Sequence, residues 1–256
     1  MLQKLLKSAD LRQLTSFVSP AFFDVMPASQ IWRRGRGLIT SRTRPQYLDA
    51  VRQRAQELSR VPLAVRLGSD VSPVRDELAS GIEGNAARLV TLYFQQLFSD
   101  SPTLLDLRAA SCRTDGTTLG WDPAAWVCVW DPEFLQSLRQ LYTGFYAHDD
   151  VTFRRALKDL HIDIAEDLFR KHFGAEQDGH AFAMREFVDT FHQVFVRCRD
   201  SKVRLHADFL PLGVYLATLY EHLDGIGVKV DVGACFERVH PRSNASAPQQ
   251  TAARHG

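Results

Sequence analysis

The run Phe209 to Leu219, FLPLGVYLATL, constrains the fold more than any other stretch. It is apolar on nearly every side, which suits a central helix enclosed by other helices. It also falls well short of the roughly 20 apolar residues that span a bilayer, as does every other apolar run in the chain. The expectation is therefore a water-soluble bundle, and the rest of the sequence must supply the enclosing helices.

Helical spacing supplies them on both sides. Tyr47, Leu48, Val51, Ala55 and Leu58 mark a helix over Gln46 to Leu58, stopped by Pro62. Ser72-Pro73 reads as a cap with the favoured first-turn proline, and a stripe from Val74 through Ile82, Ala86, Leu89 and Tyr93 to Leu97 predicts a long helix ending near Phe98. Asp131-Pro132 and His148-Asp149-Asp150 read as two more helix starts, for helices bearing Phe134 to Phe145 and Phe153 to Leu160. Ile164 to Phe169 belongs to another, stopped by Gly174, and Met184 to Cys198 forms a wide stripe. The enclosed helix should end at Asp224-Gly225-Ile226-Gly227, with a last amphipathic piece over Asp231 to Val239.

Two places read as extended. Asp115-Gly116, between Leu104 to Cys112 and Thr117 to Trp121, is a hairpin signal, because Asp-Gly tolerates the positive φ angles of a tight turn. Trp126 to Trp130, WVCVW, reads as a short buried strand. The fold class expected is mainly α: a multi-helix bundle with one small β-hairpin. A basic N-terminal segment over residues 1–45, a helical domain over 46–239 and a disordered tail over 240–256 complete the organisation.

At 256 residues the chain can bury most of its apolar surface without staples. The four cysteines, Cys112, Cys128, Cys198 and Cys235, form no CxxC pair and read as reduced core thiols of a cytoplasmic protein. A net charge of +1 argues against nucleic acid as a partner. Between Met1 and Arg60, however, eleven Lys and Arg face four Asp and Glu, next to the amphipathic start Leu2, Leu5, Leu6, Leu11, Leu14, Phe17, Val18. That surplus is either a surface for peripheral attachment to a membrane or an ordinary solvated arginine face. Phe22 and Phe23 need a partner surface, and their segment is expected to dock onto the bundle. Trp32-Arg33-Arg34-Gly35-Arg36-Gly37 reads as charged loop.

Chemistry has few candidates. All nine histidines lie at or after His148, and the best metal constellation is His161, Asp163, Glu166, Asp167 and His172, with His192, His206, Glu221 and His222 from neighbouring helices. It contains no Glu-x-x-His pair of the kind that places two ligands on one helix face. Gly-x-Ser-x-Gly, Gly-x-Gly-x-x-Gly and Walker loops are all absent from the sequence.

The stretch Leu104 to Pro123, LLDLRAASCRTDGTTLGWDP, resembles a worn version of the C-terminal lobe of the UbiB/AarF family of atypical kinase-like proteins. In that family a His-Ala-Asp-Pro-His-Pro-Gly-Asn catalytic loop leads through a short hairpin to a Leu-Asp-Phe-Gly metal-binding motif. Leu105 to Ser111 falls on the first, Asp115-Gly116 on the turn, and Trp121-Asp122-Pro123-Ala124 on the second. The likeness extends over residues 86–239, including YAHDDVTFRRALKDLH and Tyr220 to Gly227. It implies a kinase C-lobe-like fold, with Asp106 in the place of the catalytic aspartate and Asp122 in the place of the metal ligand, served by ATP and Mg2+ if the site functions. The departures matter as much: Ser111 stands where the family has its metal-binding Asn, the loop His and Gly are gone, and Pro-Ala replaces Phe-Gly. No Ala-Lys strand or helix Glu precedes residue 86. Phosphoryl transfer needs those ligands and that lysine.

The function expected is thus a catalytically degenerate kinase-like protein acting as a binding or accessory factor. By family analogy its setting is quinone or lipid metabolism at the inner face of a membrane, with a protein, a membrane surface or a small lipid-like ligand as partner. Two rival readings are a helical-bundle metalloenzyme using the histidine-rich half, and a helical scaffold of a larger assembly if Phe22, Phe23, Trp126, Trp130, Phe145, Phe169 and Phe173 are exposed.

Overall fold

A computed structural model describes residues 20–40, 45–68, 82–114, 117–173 and 179–240. The Ser72-Pro73 start, the Asp115-Gly116 turn, the Gly174 stop, residues 1–19 and residues 241–256 lie outside the described residues. Ten α-helices appear among the described residues: α1 (Pro20–Val25), α2 (Ala28–Thr40), α3 (Pro45–Leu58), α4 (Ile82–Leu97), α5 (Pro132–Tyr146), α6 (Asp150–Asp159), α7 (Glu166–His172), α8 (Met184–Asp200), α9 (Phe209–Ile226) and α10 (Val232–Val239). The chain is mainly α, as its periodicity predicts.

The apolar run that predicted an enclosed helix forms α9, where Phe209, Leu212, Tyr215, Leu216, Leu219, Tyr220 and Leu223 are all buried. Around it pack α2, α4 and α8. Gly227 ends α9 in the left-handed region, φ 72°, with its N–H donated to the Leu223 carbonyl, a conformation that strains any residue with a Cβ. Helices α5 and α6 pack closely against each other. Asp131 caps α5 by accepting the N–H groups of Glu133 and Phe134, both at 3.1 Å, and Asp149 caps α6 by accepting those of Val151 and Thr152. Asp231 caps α10 in the same way through Ala234 N–H.

The extended segments are more numerous than the hairpin and the short strand expected. Strands β3 (Cys112–Thr114) and β4 (Leu119–Trp121) pair antiparallel, in register Cys112 with Trp121. Strand β1 (Val65–Leu67) adds to the other side of β4 in parallel, Val65 opposite Leu119. Two-residue ladders join β2 (Thr103–Leu104) to β5 (Val127–Cys128), the centre of WVCVW, and β6 (His180–Ala181) to β7 (Lys229–Val230).

Three local expectations are corrected. The Trp32 to Gly37 segment is not a loop: it lies within α2, packed against α9 with Ile31 against the core. The arginine face of α3 is not wholly solvated, because Arg54 is fully buried, giving hydrogen bonds to Glu57 at 2.5 Å and to the Pro102 carbonyl at 3.2 Å. Correspondingly Leu48 and Ala55 face solvent, and Ala50, Arg54 and Leu58 form the inner stripe.

The N-terminal aromatic pair divides its duties. Phe22 is buried, its ring 5.2 Å from that of Phe195 on α8, and α1 is tied down further by Leu205 N–H donated to the Val25 carbonyl. Phe23 is 52% exposed. Of the remaining aromatic residues named for a scaffold, Trp126, Trp130, Phe169 and Phe173 are buried and Phe145 is half-buried against the core.

Candidate functional site

The Leu104 to Ala124 loop runs between two ladders and is pinned along α9. Leu104, Leu105 and Leu107 are completely buried, and they drag Asp106 into the interior with them. The Leu105 carbonyl accepts the Thr218 hydroxyl at 2.8 Å, the Leu107 N–H donates to the same oxygen at 3.3 Å, and the Leu107 carbonyl lies 2.8 Å from His222 Nδ1. From the other side the Tyr47 hydroxyl reaches the Pro123 carbonyl at 2.9 Å.

A carboxylate buried to 0% exposure needs donors, and the loop supplies them itself. Oδ1 of Asp106 accepts Arg108 Nε at 2.8 Å and the Arg108 backbone N–H at 3.2 Å. Oδ2 accepts Arg108 Nη2 at 3.1 Å, the Ser111 hydroxyl at 2.5 Å and the Ala124 N–H at 2.9 Å. The Arg108–Asp106 pair is thus two-pronged, the strongest geometry open to it, and the guanidinium lies 4.4 Å over the Trp126 ring. Burial alone would raise the Asp106 pKa. The hydrogen bonds from Arg108, Ser111 and Ala124 outweigh it and hold the group below the ordinary carboxylate range. The Asp106 carbonyl is engaged too, by Trp121 Nε1 at 2.6 Å.

Asp122 sits differently. Its backbone N–H donates to the Ser111 carbonyl at 2.8 Å, which closes the loop, but its side chain is exposed. Ser111 donates its hydroxyl to Asp106. The two aspartates are therefore brought to one loop, one as its buried anchor and one at its surface.

The histidine constellation is not assembled. Among the described residues no group of three or more His, Cys, Asp or Glu could hold a metal ion. The acids are engaged elsewhere: Glu166 pairs with Arg154 and Arg170, and Asp167 with Arg197. Of the histidines, His161 Nδ1 lies 3.0 Å from the Lys158 carbonyl, and His206 stacks on Phe134. His172 stacks on Tyr220, whose hydroxyl lies 3.2 Å from both His172 Nδ1 and His180 Nε2. Burial, with a smaller push from His180, lowers the His172 pKa to about 3, so the ring is neutral near pH 7.

Arg108 and Trp126 are the participants that sequence reasoning missed. An i, i+2 pair such as Asp106 and Arg108 is not a helical contact, and its only sequence signal is an acid and a base two residues apart within one hairpin arm. The cysteines match their reading as core thiols: Cys128, Cys198 and Cys235 are buried and Cys112 is half-buried, all free. Among the described residues no helix is long and apolar enough to cross a membrane. No protein-family model matches the chain, and no curated protein is significantly similar to it.

Proposed function

We propose that this chain is a catalytically degenerate, kinase C-lobe-like helical protein that works as a binding or accessory factor. The observation that carries the reading is the condition of Asp106. A catalytic-loop aspartate must accept a proton from an incoming hydroxyl, and a metal-binding carboxylate must present open oxygens. Both Asp106 oxygens are occupied by the loop's own donors, and a substrate would have to displace a two-pronged arginine to reach them. Asp122 is accessible but belongs to no cluster of potential ligands among the described residues. The departures of the loop from the UbiB/AarF pattern support the same reading, since Ser111 stands where that family has its metal-binding Asn.

Family analogy supports a setting in quinone or lipid metabolism at a membrane surface. Exposed Phe23 on α1 and exposed Arg33 and Arg36 on α2 support peripheral attachment through the N-terminal helices. A thermal-shift titration with ATP and Mg2+, run on the wild type and on Asp122→Ala, tests the loss of catalysis. The expected result is no nucleotide-dependent shift in either protein. A stabilisation that requires nucleotide and metal together and vanishes in Asp122→Ala would overturn the reading. Pelleting with anionic liposomes tests the attachment, through Phe23→Ser rather than deletion of the whole N-terminal region, because α1 also carries buried core residues. Unchanged pelleting of that variant would remove the membrane from the proposal.

A further inference from the structure

A cleft of about 850 Å3 opens between α2, the start of α5, the end of α6 and the segment leading into α9. That volume falls within the range of small-ligand sites. We propose that it binds a small phosphate ester that also carries hydroxyl groups, of the sugar-phosphate class.

Three cations from three elements line it: Arg33 on α2, Lys158 on α6, and Arg204 just before α9. Each is exposed, and none is engaged in an ion pair among the described residues. Arg34 adds a fourth cation, held from beneath. Its Nη2 lies 2.5 Å from Oδ1 of the fully buried Asp208, whose Oδ2 accepts the Asp131 N–H at 2.7 Å. That buried carboxylate fastens α2 to the start of α5 and fixes the guanidinium of a side chain that stays 33% exposed. His206 is fixed as well. Its Nδ1 accepts the Asp208 N–H at 3.2 Å, which leaves Nε2 as the ring's donor. Its face stacks on Phe134 at 5.1 Å, and Phe134 stacks on Trp130.

The acids of the cleft decide the class of ligand. Asp131 is occupied in capping α5, but Glu133 and Asp159 are exposed carboxylates that make no ion pair among the described residues. They would repel a bare polyanion, nucleic acid included. They would welcome hydroxyl donors. Cations that grip a phosphate by charge-assisted bonds, beside carboxylates that accept from hydroxyls, match a phosphorylated polyol better than inorganic phosphate alone. The inference is independent of the Asp106 loop, which shares none of these residues.

Calorimetric titration at constant ionic strength tests it, using glucose 6-phosphate, inositol 1-phosphate and glycerol 3-phosphate, with glucose and inorganic phosphate as the incomplete probes. At least one ester is expected to bind saturably and more tightly than either incomplete probe. Arg33→Ala, Lys158→Ala and Arg204→Ala should each weaken it by about tenfold. Asp159→Asn should weaken the ester but not inorganic phosphate, and Arg155→Ala, an exposed cation of α6 that does not line the cleft, should leave binding unchanged. Pelleting on phosphatidylinositol 4-phosphate vesicles, lost in the same three variants, would place the ester on a lipid headgroup, and soluble binding without pelleting would place it on a free metabolite. No binding of any ester or vesicle at millimolar phosphate, or equal binding by the wild type and the triple alanine variant, would overturn the proposal.

Discussion

Asp106 works as an internal counter-ion, and its removal should be felt as lost stability. Truncating one member of a buried, hydrogen-bonded pair takes from Arg108, its side chain only 12% exposed, the carboxylate it grips with two prongs, and strips acceptors from Ser111 and the Ala124 N–H. Asp106→Ala should therefore lower the unfolding free energy by about 3 kcal/mol, while Asp122→Ala should change it by less than about 0.5 kcal/mol. Urea denaturation of both variants checks this, and a silent Asp106→Ala would remove the anchor role. A second residue-scale effect concerns pH. His172 titrates near pH 6.5 when unfolded but only at about 3 in the fold, so the unfolded chain takes up a proton that the native protein refuses. Stability from this group is complete above pH 6.5 and declines as the pH falls from about 6.5 towards 3. Asp106, with its lowered pKa, adds stability that is complete above the ordinary carboxylate range and is lost as the pH falls through that range and below it. Denaturant midpoints measured between pH 7 and pH 4 should fall less steeply in His172→Phe than in the wild type.

At the scale of elements, the pair α5 and α6 depends on one absent side chain. A Cβ on Gly144 would stand 2.5 Å from the Phe153 backbone nitrogen and 2.8 Å from its Cα, and neither can move without separating the helices. Gly144→Ala is expected to destabilise by about 3 kcal/mol in thermal or urea unfolding, despite the better helix propensity of alanine. What was legible here followed local chemistry. Asp131-Pro132, Asp149 and Asp231 announce helices because a cap is a contact within four residues, and the apolar stripes of α4 and α9 repeat at helical spacing. What was not legible depended on distant partners. Strand β1 is three residues long, too short to show a period, and is defined by β4 some fifty residues later. Helix α2 is poor in intrinsic propensity and is held by its packing on α9 and by Asp208. Charge alone predicts a solvated Arg54, and the Pro102 carbonyl and Glu57 make its burial tolerable. The candidate loop was legible as a hairpin bearing two acids, but the division of labour between them was not, since it turns on Arg108, Ser111 and the backbone of Ala124.

For the molecule as a whole, the N-terminal helices belong to the body. Phe22, Val25 and Met26 are part of the main core cluster, and Arg34 reaches a buried acid at the start of α9. Phe22→Ala should cost about 3 kcal/mol, and fluorescence and far-ultraviolet circular dichroism should report one coincident transition in the wild type. Separate transitions would mean that residues 20–40 form an appendage. The four thiols give this integrity a readout of its own. Burial pushes Cys112 up to about 12 and Cys198 up to about 11, and raises Cys128 and Cys235 as well, so at neutral pH each is held as the unreactive thiol. Cys128, Cys198 and Cys235 sit on β5, α8 and α10, three separate parts of one interior, and the half-buried Cys112 sits on β3. The three buried thiols thus carry a built-in clock: an alkylating reagent can mark Cys128, Cys198 or Cys235 only when the region around it opens, and the order of those marks records the order in which the protein comes apart.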